Sequence, residues 1–271
     1  MRPPELILRR ERLREVFLTH STPLIVGHGP HRVLAFHGWF GSSGAWGHFP
    51  DYIDGDRFTY ALLDYRGYGR RRDVTGDYTI AEISADAREA ADALGWRRYS
   101  LLGHSMGGLA MQQVLADAPD RVERLVALSG VPATGAQFDD ETLAYFSTAP
   151  NDHQTRGALT AFSTGARLSK TFVRRIVRES LDHSAVEAFA GYLPSFVRTD
   201  IAARVQGLPH PVKVLVGEHD PSMNEDVMRA TWMKFYPNAE FEAIANAGHY
   251  AMHETPVALA TLVEEFLLRD R

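Results

Sequence analysis

Short apolar runs rich in branched residues alternate along this chain with longer stretches whose apolar positions recur at helical spacing. The runs Arg32–Phe36, Phe58–Leu63, Tyr99–Leu102, Leu125–Ser129, Val212–Gly217 and Glu240–Ile244 predict strands. Between them, Ile80–Leu94 carries Ala and Leu at helical spacing. Ser105–Ala118 follows a strand directly and stops before Pro119. Pro256–Leu268 opens on a proline, whose missing N–H costs nothing in the first helical turn. Strands that alternate with helices in this way predict a mostly parallel sheet covered by helices on both faces. Two earlier segments, Glu15–Leu18 and Leu24–Val26, are candidates for an antiparallel lead-in.

One region breaks the alternation. From Val131 to Pro211 there is no convincing strand, but there are eight aromatic residues: Phe138, Tyr145, Phe146, Phe162, Phe172, Phe189, Tyr192 and Phe196. A structureless connection of that length is uncommon. The pattern predicts a helical cap of residues 131–211 inserted into a core made of residues 1–130 and 212–271. Some of the aromatic side chains would pack the cap, and others would line a pocket beneath it. The row Lys170, Arg174, Arg175 and Arg178 reads as a solvated helix face.

Composition narrows the function classes. With 271 residues, 45% of them hydrophobic, the chain can bury a sizeable core. A net charge of −5 lacks the basic footprint of a nucleic-acid partner. The absence of cysteine removes disulfides, thiolate metal sites and a cysteine nucleophile, and it fits a reducing compartment. The apolar run Leu6–Leu8 is too short for a signal-peptide core. No stretch approaches the roughly 18 apolar residues of a membrane span. The expectation is a cytoplasmic protein without a membrane or nucleic-acid partner, acting on a small molecule. The oligomeric state is not readable.

The sharpest chemical signal is Gly103-His104-Ser105-Met106-Gly107, followed by Gly108. It lies between an apolar strand and a helix. A serine at such a turn adopts a strained backbone that lifts its hydroxyl out of the sheet. Strand and helix then run close together, and glycines two positions either side relieve the crowding. The helix N-terminus adds free N–H groups for a developing oxyanion. The competing reading is a glycine-rich turn with an ordinary N-cap serine.

Together with His37-Gly38-Trp39-Phe40, Asp64-Tyr65-Arg66-Gly67-Tyr68-Gly69, Gly217-Glu218-His219-Asp220 and Gly248-His249, this elbow resembles the α/β-hydrolase superfamily in order and spacing, from about residue 15 to 270. The resemblance implies an α/β-hydrolase fold with a helical cap and a serine-esterase-like activity. It implies Ser105 as nucleophile. Among 12 histidines it picks His249, in the loop after the last strand, as the base. Asp220 is the implied acid, with Glu218 as the competing carboxylate. The order serine, acid, histidine is that of this fold. The oxyanion would be held by the N–H groups of Met106 and Trp39, with Phe40 as the alternative to Trp39. Phe40 and His104 are candidates for the substrate pocket, although core packing suits His104 equally, and His37 reads as structural.

The expected reaction is hydrolysis of a carboxylic ester of small or medium size through an acyl-enzyme, with no cofactor and no metal. The same triad also fits a lactonase, a C–C bond hydrolase or a perhydrolase. A binding receptor on this fold is the alternative from another class. His249 and His253 have the spacing of a zinc helix, but Tyr250 stands where zinc proteases need glutamate. The Asp64–Gly69 run lacks the third glycine of a dinucleotide fingerprint, and is expected to brace a turn beside the oxyanion loop. Serine at position 105 disfavours the aspartate-nucleophile dehalogenases and epoxide hydrolases.

Overall fold

A computed structural model describes residues 23–269, so the predicted Glu15–Leu18 strand lies outside the described residues. Seven strands form one sheet in the order β1-β3-β2-β4-β5-β6-β7. They are β1 (Leu24–Gly27), β2 (His31–Phe36), β3 (Phe58–Leu62), β4 (Tyr99–His104), β5 (Val122–Leu128), β6 (Val212–Gly217) and β7 (Ala239–Ile244). All neighbours pair in parallel except β1, which runs antiparallel to β3 at the edge. The predicted strands that fall within the described residues all form. β5 begins three residues before the predicted Leu125, because Val122 pairs with Tyr99 before a register shift.

The alternation of side chains splits the core in two. Leu34, Phe36, Leu101, Leu125 and Ala127 face α1 (Ile80–Ala93) and α2 (Met106–Asp117). Val33, Ala35, Leu102, Val126 and Leu128 face a second cluster with Trp46, Phe49 and the last helix, Pro256–Leu267. Thr79 caps α1 by accepting the Glu82 N–H at 3.1 Å. Both faces are therefore closed, as near-continuous apolar strands require.

Among the described residues, the stretch between β5 and β6 carries five helices: α3 (Asp140–Phe146), α4 (His153–Ser163), α5 (Lys170–His183), α6 (Val186–Arg198) and α7 (Ala202–Val205). Asp139, Asp152 and Ser169 cap α3, α4 and α5 through their side chains. The basic residues Lys170, Arg174, Arg175 and Arg178 are exposed, as the solvated-face reading expected. Among the described residues, no helix is long and apolar enough to cross a membrane.

Candidate active site

The candidate residues meet at the C-terminal ends of β2, β4, β6 and β7, the end where open α/β sheets bind ligands. Ser105 sits between β4 and α2 with φ 53° and ψ −121°, in the strained region expected of it. An N-cap serine has extended backbone and accepts an amide of the first turn. Ser105 has neither property, and its side chain makes no cap bond. Its backbone is held instead: its N–H donates to Leu128 O at 3.1 Å, and its carbonyl accepts the amides of Gly108 and Val131 at 2.8 Å each.

The glycines act as expected, with one refinement. A Cβ on Gly103 would lie 2.5 Å from Gly107 O, within the elbow itself. A Cβ on Gly107 would strike the end of β2, 2.2 Å from Phe36 O and 2.8 Å from His37 O. Gly107 thus sets the approach of α2 to the neighbouring strand rather than to its own.

His249 and Asp220 form the pair that chain order suggested. His249 Nδ1 donates to Asp220 Oδ2 at 2.6 Å, and both side chains are nearly buried. Asp220 Oδ1 accepts the Ser222 N–H at 3.0 Å, the Ser222 hydroxyl at 2.9 Å and the Met223 N–H at 3.1 Å. Its two oxygens divide the work, one closing a turn and the other holding the imidazole. Burial by itself would raise the Asp220 pKa. The His249 charge, its hydrogen bond and the Met223 amide outweigh that and hold the carboxyl well below the usual range. Glu218, the competing carboxylate, is more than half exposed and accepts the Asn246 N–H at 3.0 Å. It is occupied in a loop turn rather than on the His249 ring.

Two further groups hold the His249 loop, and the sequence did not single them out for that task. Glu254 accepts the amides of Gly248 at 2.9 Å and Tyr250 at 3.1 Å and pairs with Arg167. The His249 N–H donates to Ser163 O, at the end of α4, at 3.0 Å. His104 is both core and pocket wall. Its Nε2–H donates to His249 O at 2.9 Å, and burial pushes its pKa well down, so the ring is neutral.

Gly38 lies against Ser105: a Cβ there would be 2.8 Å from His104 Nδ1 and 3.1 Å from Ser105 Cβ. The Gly41 N–H donates to Gly38 O at 2.9 Å, closing a turn with the amides of Trp39 and Phe40 at its two central positions. The Met106 N–H opens α2, where no residue of the helix can accept it. The Asp64–Gly69 run braces this region as expected. The Tyr65 hydroxyl donates to His37 O at 2.8 Å, the Tyr68 hydroxyl donates to Trp39 O at 2.9 Å, and Asp64 accepts the Ser43 N–H and hydroxyl. His37 stacks on Tyr65 and donates from Nδ1 to Gly38 O. Burial lowers its pKa to about 4, against a smaller opposing pull from Asp64, so it is a neutral structural ring.

A cavity of about 300 Å³ opens over these groups, lined by Ser105, His249, His104, Trp39 and Phe40 on the sheet side. From the helical region come Phe138, Phe146, Phe162 and Phe196, whereas Phe189 and Tyr192 are buried in packing. Apart from Tyr145, which is exposed, the aromatic residues therefore divide between the two roles that were open. Among the described residues, no cluster of three or more metal-ligating side chains occurs.

Known proteins share this fold. A family model described as alpha/beta hydrolase fold matches residues 31–256. RutD of Caulobacter vibrioides, a protein named as a carbamate hydrolase, is 27% identical over 202 residues, which is 71% of this chain and 74% of RutD. A hydrolase from Oleispira antarctica superposes with a TM-score of 0.83 at 17% identity, over 95% of this chain and 98% of its own. An esterase from Exiguobacterium antarcticum superposes with a TM-score of 0.80 at 15% identity, over 91% and 94%. The chain belongs to the α/β-hydrolase-fold family and is an enzyme of the serine-hydrolase type.

Proposed function

We propose that this enzyme hydrolyses a carboxylic ester of small or medium size, with Ser105 as nucleophile, His249 as general base and Asp220 as the group that orients it. The observation that carries this reading is the 2.6 Å Asp220–His249 bond, with His249 lining the same cavity as Ser105, a serine whose side chain does not cap its own helix. Because His249 Nδ1 carries the proton given to Asp220, its lone pair is on Nε2. That nitrogen takes the Ser105 proton as the oxygen attacks the carbonyl. The amides of Met106 and Trp39 receive the negative charge that builds on the carbonyl oxygen. The protonated His249 returns its proton to the leaving alcohol as the C–O bond breaks. Water, deprotonated by the same histidine, then releases the acid and restores Ser105.

In this reading, residues 131–211 act as a cap over a core of residues 1–130 and 212–271. The cap supplies aromatic wall and shields the acyl-enzyme from bulk water. Phe40 and His104 border the bound substrate. No step calls for a cofactor.

A fluorophosphonate should label Ser105, as mass spectrometry of the digest would locate. Ser105→Ala should lose both the label and more than about 10⁴-fold in kcat. A panel of nitrophenyl esters, lactones, diketones and carbamates, with and without peroxide, identifies the bond. Absence of labelling, or turnover unchanged in Ser105→Ala, would overturn the proposal.

A further inference from the structure

The cavity is chemically lopsided. One side is built of carbon, where Trp39 stacks near Phe146 and Phe196, and Phe138 packs on Phe146 with centroids 4.5 Å apart. Another part of the wall comes from α5 and from the helix Ala251–Glu254, and there Glu179 and His253 face the same space. Histidines apart, Glu179 is the only charged side chain among the described residues lining the cavity; no lysine or arginine does so. An anionic substrate group therefore meets no countercharge.

The atoms of this polar corner specify what it can hold. Glu179 Oε1 accepts Arg175 Nε at 2.8 Å along the outer face of α5, and Oε2 makes no hydrogen bond among the described residues. His253 Nε2–H donates to Ala45 O at 3.1 Å, and its Nδ1 lies against Gly47, where a Cβ would be 2.7 Å away. Burial lowers the His253 pKa, with Glu179 pulling the other way and Arg175 and His48 adding to the fall. The ring is neutral, so it sets no positive charge beside Glu179. The corner thus offers a carboxylate oxygen beside an uncharged imidazole ring. Arg175 competes for the carboxylate, but it is more than half exposed, and such a pair is weak.

We infer that Glu179 and His253 form a subsite for a protonated amine carried by the substrate, with Glu179 as the specificity-determining residue. This rests on the reading of the cavity as the place where an ester binds, and it adds to that reading a substrate class: esters bearing an alkylammonium group. Glu179 takes the charge and accepts an N–H, and the neutral His253 ring walls the corner without adding a competing cation. The carbon-lined side takes the rest of the molecule.

The test compares n-butylammonium with the uncharged methyl butyl ether as competitors of a nitrophenyl ester. In the unaltered enzyme the ammonium should inhibit about tenfold more tightly, the size of one charge-assisted contact in a partly desolvated site. Glu179→Gln should bring the ratio of inhibition constants to about one. Arg175→Gln, which removes the competing cation, should widen it about threefold, and a merely structural role for Glu179 would not produce that opposite sign. A ratio of one or below in the unaltered enzyme, or a ratio that Glu179→Gln leaves in place, overturns the inference. Isothermal calorimetry with butylammonium reads the subsite without turnover. Amine binding without fluorophosphonate labelling would sink the catalytic reading alone, and labelling without amine preference would sink this one alone.

Discussion

Ser105 and Trp39 face the same cavity but are held there by different means. Around Ser105 the backbone does the holding, through three main-chain hydrogen bonds and glycines that admit α2 to within contact of β2. Around Trp39 side chains do it. Its indole N–H donates to Phe189 O at 2.7 Å, and its ring stacks on Phe189 with centroids 4.1 Å apart. On Phe189 lies the guanidinium of Arg156, 3.7 Å from the ring centroid and almost fully buried. Arg156 donates to Ala149 O, Pro150 O and Ser180 Oγ, with no carboxylate paired to it among the described residues. The helical region therefore grips the Gly38–Gly41 turn through a column of stacked side chains, whereas the elbow is built into the sheet. Backbone-held geometry depends on the small size of a few positions. Side-chain-held geometry depends on the identity of several.

The largest break in the comparison should come from Asp220→Asn on the sheet side. It leaves the shape intact but offers His249 the wrong partner, and kcat should fall about 10³–10⁴-fold at neutral pH with little change in KM. The same variant tests linkage. The folded Asp220 carboxyl is held below its unfolded value, so its contribution to stability is complete above about pH 4 and declines as the pH falls below that. Melting temperature should drop more steeply between pH 5 and pH 3 in the unaltered protein than in Asp220→Asn. Equal slopes would refute the assignment.

Gly107→Ala should come next. Its new methyl would sit 2.2 Å from Phe36 O, against backbone that cannot swing aside, and denaturant unfolding should show a loss of about 3 kcal/mol or failure to fold. Arg156→Met tests the stacked column. Removing the guanidinium leaves buried carbonyls without donors, and we expect a loss of about 2 kcal/mol in stability. A fall in kcat larger than any rise in KM should accompany it, because the oxyanion loop loses its brace. An unchanged kcat would mean that the column is packing alone. The smallest effect should be Gly157→Ala, a glycine inside α4 whose Cβ would meet only Val173 Cγ1, at 3.9 Å. Helix propensity should make it stabilising by about 0.5–1 kcal/mol, and a destabilised Gly157→Ala protein would show that the cap glycines are as constrained as those of the elbow.

The core was readable because its signals are local. Strands such as Arg32–Phe36 and Val212–Gly217 announce themselves by apolar runs, and α2 by the proline after it. The boundary at Ser105 was less sharp: the helix begins one residue later, because φ 53° excludes the serine from it. In the cap, the aromatic residues looked alike in sequence. Phe196 lines the cavity while Phe189 packs between Arg156 and Trp39, and only the fold separates them. Arg156 carried no motif. It donates to two backbone carbonyls, which every residue possesses, and to one serine hydroxyl.

By itself, the sequence determined the alternation of strands and helices, the Gly-His-Ser-Met-Gly turn and the order of Ser105, Asp220 and His249. These depend on side-chain periodicity, glycine size and chain order, all of which are linear properties. The tertiary structure alone decided that Oδ2 of Asp220 meets His249, that the Trp39 indole reaches a carbonyl 150 residues away, and that Glu179 and His253 share one corner of the cavity. Such contacts join elements far apart in the chain. Their partners are set by how helices seat on a sheet, which no local pattern encodes.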